Sequence, residues 1–160
     1  MADSSPAISN SDSDEGCKPG CVFCRVARGQ DEKTELLFQD EQFVVFRDIR
    51  PASSHHYLVV PLNHRGNVKF MEPSQDNFKF VQSMVSIGQR VLEERGADVT
   101  SARFGFHWAP FHTIEHLHLH VIAPVTEMGF IARTVFRPNS YWFVTSEWVE
   151  ERLTPPPQQS

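Results

Sequence analysis

The chain has 160 residues, enough for one domain with a normal hydrophobic core. Hydrophobic residues make up 40% and charged residues 22%, the proportions of an ordinary globular domain. A net charge of −5 without a basic stripe excludes a general binder of nucleic acid or of anionic membranes. Because no long apolar run and no signal-peptide pattern are seen, we expect the chain in the cytoplasm, with the nucleus as a second compartment.

The two ends differ in composition from the middle. Residues 1–16 contain four acidic residues and many serines but no basic residue, which predicts a disordered acidic arm. Residues 154–160, TPPPQQS, cannot continue a helix and are also predicted to be disordered. A single folded domain is therefore predicted over residues 17–153.

The domain begins with extended segments. Apolar, β-branched runs bounded by turn residues predict strands at ELLFQD (35–40), EQFVVFRDI (41–49) and HHYLVVP (55–61). A long helix is predicted next, from Ser74 to Arg95, because Ser74 is a suitable N-cap and Gly96 a suitable stop. Its apolar residues recur at near-helical spacing and form the predicted core face: Phe78, Val81, Val85, Val91 and Leu92.

The second half of the domain adds more strands and a short helix. SARFGFHW (101–108), HTIEHLHLHVIAP (112–124) and NSYWFVT (139–145) read as strands, and SEWVEERL (146–153) reads as a helix. Consecutive strands joined by short turns, with one long helix across them, predict an α+β fold. We expect an antiparallel sheet of about five strands, one long helix and short helices.

Three of the eight histidines alternate with apolar residues in the most strand-like segment of the chain: His116, His118 and His120. On a strand, residues two apart share a face, so these histidines line one face while the apolar residues between them face the core. Neighbouring imidazoles repel one another when charged and need partners when they are neutral and buried. The row is therefore interpreted as holding either a metal or an anion.

These segments resemble the histidine triad (HIT) superfamily of nucleotide hydrolases and transferases. The HxHxH row follows FRDIRPASSHHYLVVPLNH, and CVFCRVARG, RFGFHWAPF and RPNSYWF resemble its branch of histidine triad nucleotide-binding proteins, which is related to the aprataxin catalytic domain. The resemblance spans roughly Cys21 to Trp142. It implies a HIT-like fold and hydrolysis of adenosine 5'-phosphoramidates. The substrate is then a purine nucleotide conjugate, and catalysis requires no cofactor.

The resemblance also assigns the catalytic roles. In the family the central histidine, here His118, attacks the α-phosphorus of AMP linked to an amine, and water then cleaves the AMP–imidazole intermediate. Neutral imidazole suits this role because its unperturbed pKa is about 6.5. His120 is implied to contact the phosphate oxygens, His116 to support His118, and Thr113 to replace a substrate-contacting serine.

A nucleotide pocket follows from the same resemblance. Asp48 matches the residue that binds the ribose hydroxyls. The apolar residues that match the base pocket are Phe46, Ile49, Val22, Phe23 and Val26. Judged without the family, these apolar residues are ordinary core, and Asp48 only begins a turn before Pro51.

Two features depart from the family pattern. His107 falls where many relatives have an asparagine, and WAPFHT replaces a Gly-Gln-Ser loop. The leaving group therefore stays open between amine, lysyl, aminoacyl and polynucleotide. We expect no nucleic-acid or membrane partner, because the chain is acidic and lacks a zinc-finger module. A two-fold homodimer is expected because relatives often form one.

Cys21 and Cys24 form a CxxC, which is a half-site for zinc, a redox pair or a chance spacing. No βαβ context supports a thioredoxin-type role. Some family members bind structural zinc with such a pair, a histidine after the third strand and the first triad histidine. The corresponding residues here are His64 and His116. Cys17 is predicted to be a free thiol in the arm.

His55 and His56 are predicted to be polar residues at a strand end. Two other functions stay open beside the phosphoramidate hydrolase. One is a nucleotide-binding or zinc-stabilised interaction module with little turnover. The other is a metal-dependent hydrolase that uses the three histidines as ligands. Turnover that survives EDTA distinguishes the phosphoramidate hydrolase from the metal-dependent hydrolase.

Overall fold

The computed structural model describes residues 16–112 and 114–159, so most of the predicted acidic arm lies outside the described residues. The strands are β1 (Leu36–Gln39), β2 (Phe43–Arg47), β3 (His55–Pro61), β4 (Arg103–His107), β5 (Leu119–Ala123) and β6 (Phe143–Thr145). The α-helices are α1 (Val22–Ala27), α2 (Gln75–Glu94), α3 (Phe130–Val135) and α4 (Ser146–Leu153).

The strands form one antiparallel sheet in the order β1-β2-β3-β5-β4-β6. This confirms the predicted α+β class, with six strands where about five were expected. The additional strand, β6, has three residues and pairs with β4 at the edge of the sheet. Strands β3 and β5 lie next to each other at the centre, so their side chains are buried on both faces.

Helices α2 and α4 cover one face of the sheet. Val59, Leu119 and Val121 point into this layer, where they join the buried residues of the two helices. The opposite face carries Leu58 beneath α1 and Ile122 beneath the segment that includes α3. The predicted alternation on β5 is thus confirmed, because Leu119 and Val121 face α2, whereas His120 and Ile122 lie on the opposite face.

Helix α2 begins and ends where the sequence predicts. The Ser74 hydroxyl accepts a hydrogen bond from the Asn77 amide at 3.0 Å. Gly96 follows the helix with a φ of +77°, a conformation that costs glycine little. The fully packed residues of the helix lie on one stripe: Val81, Met84, Gly88, Val91 and Leu92.

The prediction that the whole histidine row lies on a strand is wrong. Pairing between β3 and β5 ends at Val59 and Leu119, so His116 and His118 precede the strand. Two further steps of pairing would bring Leu117 opposite Pro61, which has no N–H to donate. The Leu117 amide donates instead to the Arg65 carbonyl, at 2.7 Å.

No helix among the described residues combines the length and the apolar character that crossing a membrane requires.

Gly88 lets α2 approach the sheet closely. A Cβ at this position would lie 2.8 Å from Val121 Cγ2 and 3.0 Å from Phe104 Cε1. Overpacking of this kind costs about 1–3 kcal/mol, which offsets the roughly 1 kcal/mol gain in helix propensity. We expect Gly88→Ala to lower the free energy of unfolding by roughly 1–2 kcal/mol in urea denaturation. Gly66→Ala is the control, because no atom lies within 4 Å of its added Cβ. Equal stability of the two variants would contradict the close approach.

Candidate active site

Four imidazoles gather on the sheet face opposite α2. The His118 and His120 rings lie side by side at the start of β5, with centroids 5.0 Å apart. His56 on β3 and His107 on β4 flank the His120 ring, with centroids 5.3 and 4.9 Å from it. The pairing of β5 with both strands produces this arrangement, because antiparallel neighbours bring side chains of the same face together.

The hydrogen bond of His118 fixes where its ring proton lies. His118 Nδ1 is 2.7 Å from the main-chain carbonyl oxygen of His116. A carbonyl only accepts, so Nδ1 donates and the lone pair of the neutral ring is on Nε2. Burial lowers the pKa of His118 to about 4, so the ring is neutral at pH 7. The Phe23 ring packs edge-on against it at 5.1 Å.

A chain of hydrogen bonds fixes the opposite tautomer at His120. The Ala52 amide donates to His56 Nδ1 at 2.9 Å, so the proton of neutral His56 is on Nε2. His56 Nε2 donates to His120 Nδ1 at 3.0 Å, which leaves the His120 proton on Nε2. Burial lowers the pKa of His56 to about 4 and that of His120 well below its usual range. His120 Nε2 is buried and has no hydrogen-bond partner within the described residues.

The Asp48 carboxylate lies beside this chain of imidazoles. Asp48 Oδ2 is 3.4 Å from His56 Nε2 and 3.9 Å from His120 Nδ1. Asp48 Oδ1 accepts a hydrogen bond from the Arg50 amide at 2.8 Å. The carboxylate therefore sits at the end of β2, next to the histidines and close to the surface.

The His116 ring turns away from this site toward the CxxC. His116 Nε2 donates to the Pro61 carbonyl at 2.8 Å, and its Nδ1 is 3.4 Å from the sulfurs of both Cys21 and Cys24. The Cys24 sulfur is also 3.6 Å from His64 Nδ1. Cys21 is the N-terminal cap of α1 and Cys24 lies within it, so this helix brings both thiols to the histidines.

The donors of this thiol–imidazole cluster (Cys21, Cys24, His64 and His116) fit a tetrahedral zinc ion. All four donor atoms lie within 4.8 Å of one another. Zn–S and Zn–N bonds of about 2.3 and 2.1 Å at tetrahedral angles separate sulfur from nitrogen by about 3.6 Å, close to the observed spacings. The Nδ1 lone pair of His116 is free, because its proton is on Nε2. Burial raises the pKa of the Cys24 thiol to about 12, so metal binding must displace its proton.

A second group of close donors does not fit a metal. Asp48, His56 and His120 also lie within 4.8 Å of one another. The Ala52 amide, however, occupies the Nδ1 lone pair of His56. His56 Nε2 therefore carries the proton and has no lone pair for a metal.

A cleft lies beside His118 and is lined by His107, Asn67 and residues 114–118. The Asn67 side-chain amide donates to the His107 carbonyl at 2.9 Å, and its oxygen accepts from the Ala109 amide at 3.4 Å. Asn67 thereby anchors the beginning of the loop that follows β4.

Comparison with known proteins identifies the family and the fold. The family described as scavenger mRNA decapping enzyme C-term binding matches residues 20–135. Mouse adenosine 5'-monophosphoramidase HINT3 is 46% identical over 165 residues, covering 96% of this chain and 99% of the mouse protein. The chain belongs to the histidine triad superfamily.

Two more distant proteins support the same superfamily. Chicken aprataxin is 30% identical over 128 residues, covering 78% of this chain and 39% of aprataxin. A zinc-bound histidine triad family protein from Mycobacterium smegmatis is 26% identical, with a TM-score of 0.53, covering 84% of this chain and 90% of that structure. The predicted superfamily, its branch and the relation to aprataxin are confirmed.

The three predicted triad residues do not act as one row. His118 and His120 share a site, whereas the His116 side chain belongs to the thiol–imidazole cluster. The carbonyl of His116, not its ring, contacts His118. Thr113 lies outside the described residues. Cys17, predicted to lie in the arm, is partly exposed and lies next to Cys24 of the cluster.

The residues predicted to form the nucleotide pocket divide between interior and surface. Phe46, Phe23 and Val26 are buried in one cluster, and Phe23 contacts both Phe46 and the His118 ring. Val22 and Ile49 are exposed, at 44% and 91%. The structure therefore places one aromatic pair behind the nucleophile candidate and leaves two apolar side chains open to solvent.

Sequence reasoning missed His56, which was predicted to be a polar strand-end residue. His56 is 2% exposed and hydrogen-bonded to His120. A signal was present, because alternation along HHYLVVP places His56 on the same face as Leu58 and Val60, both of them buried. A polar residue in register with a buried face needs a buried partner.

Acid should destabilise the fold through these buried histidines. The pKa of His56 is about 4 in the folded state, against about 6.5 for an unperturbed histidine. Between these values the unfolded state binds more protons, so the stability present above pH 6.5 falls as the pH drops toward 4. One such group contributes on the order of 3 kcal/mol. In urea denaturation, the loss between pH 7 and pH 4.5 should be smaller for His56→Gln than for wild type. His55→Gln, at the more exposed neighbour, should keep the wild-type loss, and equal losses in all three proteins would refute the role of His56.

Proposed function

We propose that this chain hydrolyses adenosine 5'-phosphoramidates, releasing AMP from an amine, lysyl or aminoacyl group through a covalent AMP–His118 intermediate. The mouse relative carries the name adenosine 5'-monophosphoramidase, and its similarity extends over nearly the whole chain. The observation that carries the proposal is the pairing of opposite tautomers at His118 and His120. A lone pair and an N–H donor lie side by side on neutral rings, as attack on a phosphate requires.

In the first step, the Nε2 lone pair of His118 attacks the α-phosphorus. The Nε2–P bond forms as the P–N bond breaks, and the departing nitrogen keeps the electron pair and takes up a proton from solvent. The His116 carbonyl accepts the hydrogen bond from His118 Nδ1–H throughout, which stabilises the positive charge that the ring gains. Because the free ring is neutral at pH 7, no proton has to leave it before attack.

The His120 Nε2–H contacts a non-bridging phosphate oxygen in this proposal. The donor is buried and already oriented by His56, so it stabilises charge on the phosphate without reorganising. In the second step, water attacks the same phosphorus and the Nε2–P bond breaks, with the electron pair of that bond returning to Nε2. The water keeps one proton on AMP and releases the other to solvent, AMP leaves, and His118 returns to its neutral Nδ1–H tautomer.

The nucleoside is held apart from the reacting atoms. Asp48 is partly exposed at the end of β2, and its carboxylate can accept two hydrogen bonds from the ribose hydroxyls. Ile49 directly follows this carboxylate, and Val22 lies on α1; both expose apolar surface that suits the base. Phe23 packs against both Phe46 and the His118 ring, so this buried aromatic pair supports the nucleophile.

We also propose that the thiol–imidazole cluster holds a structural zinc ion. The sulfur–nitrogen spacings, the free lone pair of His116 and the zinc-bound relative from Mycobacterium smegmatis support this assignment. With four protein donors no coordination position stays open, so a zinc ion here cross-links three segments and is kept apart from the reaction. These segments are α1, the loop after β3 and the segment before β5.

Two further expectations belong to this proposal. A two-fold homodimer is proposed because histidine triad relatives often form one. A cytoplasmic and nuclear location is proposed from the composition of the chain. The chemistry at His118 depends on neither of them.

The first test is replacement of the two histidines. His118→Ala should abolish turnover of an AMP–lysine conjugate yet keep AMP binding, since most binding comes from base and ribose contacts. His120→Ala should retain turnover at a rate lower by roughly 10²-fold, because one electrostatic donor is lost. Rapid quench of wild type with labelled substrate should trap AMP on a peptide that contains His118.

The matched control for these variants is His55→Ala, outside the imidazole group on the same strand as His56. It should turn over the conjugate at the wild-type rate. The mechanism is wrong if the label appears on another residue or if His118→Ala stays active.

Metal content tests the zinc proposal. Purified protein should contain about one zinc per chain, and Cys24→Ser should lose both the metal and thermal stability. Cys17→Ser is the control, because it removes a cysteine while leaving all four donors in place. Wild-type protein that is free of metal, with a melting temperature equal to that of Cys24→Ser, would end the proposal.

A further inference from the structure

The peptide unit between His116 and Leu117 is held at both ends. Its N–H donates to the Arg65 carbonyl at 2.7 Å, and its C=O accepts from His118 Nδ1, also at 2.7 Å. A peptide unit is planar and rigid, so its N–H and C=O cannot turn independently. A rotation that breaks the bond to Arg65 also misaligns the bond to His118.

Both partners of the Arg65–Leu117 hydrogen bond are next to residues of the thiol–imidazole cluster. His64 directly precedes Arg65, and His116 directly precedes Leu117. Their two imidazoles converge on the Cys24 sulfur, at 3.6 and 3.4 Å. The cluster therefore joins, through side chains, the two segments that the main-chain bond joins directly.

Few other contacts hold the segment that carries the nucleophile. β5 begins only at Leu119, so residues 114–118 have no strand ladder. The ion pair of Lys18 with Glu115 joins two half-exposed side chains and contributes little. Besides the buried Leu117 side chain, the His116 ring anchors this segment, because it is fully buried in the cluster and its Nε2 donates to the Pro61 carbonyl at 2.8 Å.

We propose that Cys21, Cys24 and His64 are positioning residues for the nucleophile, acting through the main chain of His116. The inference rests on the hydrolase function proposed above. When a metal joins the four donors, residues 64–65 are cross-linked to residues 116–117, and the His116 carbonyl faces His118 Nδ1. Without a metal, the links from the cysteines to the two imidazoles are reduced to weak thiol–imidazole hydrogen bonds. The Arg65–Leu117 and His116–Pro61 hydrogen bonds then hold the two segments without the cross-link.

A turned carbonyl changes the chemistry of His118 directly. Nδ1 then loses its acceptor, and the ring proton can reside on Nε2 instead. The Nε2 lone pair that attacks phosphorus disappears in that tautomer. The ribose contact at Asp48 is made by β2, outside the cluster, whereas Val22 and Phe23 lie on α1 beside Cys21 and Cys24. Loss of the metal should therefore lower kcat more than it changes KM.

Nitrogen-15 NMR of histidine-labelled protein tests this directly, because it distinguishes the two neutral tautomers. The His118 signals are assigned by their absence in His118→Ala. Zinc-loaded wild type should show His118 only as the Nδ1–H form. After removal of zinc with a chelator, the Nε2–H form should appear. The kcat on an AMP–amine conjugate should fall about 10-fold, the effect of one orienting hydrogen bond, and KM should change less than kcat. Addition of zinc should restore both.

Cys21→Ser at a half-exposed position should reproduce the stripped state, and Cys17→Ser should match wild type. If zinc-free wild type unfolds, its circular dichroism signal is lost. In that case the same two measurements are made on Cys21→Ser, which keeps three of the four donors, at a temperature where this variant is folded. A single Nδ1–H tautomer and an unchanged kcat in metal-free, folded protein would overturn the inference. If zinc-loaded wild type does not turn over the conjugate, the proposed function fails, while the tautomers still decide whether the cluster positions His118.

Discussion

Main-chain groups fix the proton position on the buried histidine rings of this protein, and the candidate chemistry depends on that constraint. Each of four rings has one nitrogen bonded to a main-chain amide or carbonyl: His56, His107, His116 and His118. A neutral imidazole has one donor and one acceptor, so fixing one nitrogen decides what the other can do. Burial keeps the rings neutral by penalising the charged form.

The same constraint separates two groups of donors that look alike by composition. At the thiol–imidazole cluster, the Pro61 carbonyl accepts a hydrogen bond from His116 Nε2–H, so the Nδ1 lone pair is available for a metal. At the other group, the Ala52 amide fills the Nδ1 lone pair of His56 and leaves an N–H where a metal would need a lone pair. One group is therefore suited to a cation. In the other group, His56 donates to His120 Nδ1, and the His120 Nε2–H that results is suited to an anion.

The end of β-pairing at Val59 and Leu119 allows one short sequence to serve both groups. In a continuous strand, His116, His118 and His120 would point the same way. Because the strand starts only at Leu119, the His116 ring turns to the cysteines while its carbonyl still reaches His118. Pro61 contributes twice, since it has no amide for the ladder and its carbonyl binds the His116 ring.

The sequence by itself determined the class of fold, the limits of α2, the packing of the apolar residues of β5 and the family. These follow from local patterns, because alternation, helical spacing, caps and motif order are all written within short segments. It also brought Cys21, Cys24, His64 and His116 together as a predicted set, through the family resemblance. The tertiary structure alone decided that β5 excludes His116 and His118, that His56 is buried against His120, and which nitrogen of each ring carries the proton. Those outcomes depend on partners distant in sequence, such as Pro61 for His116 and Ala52 and His56 for His120, and no local pattern specifies a hydrogen bond between separate strands.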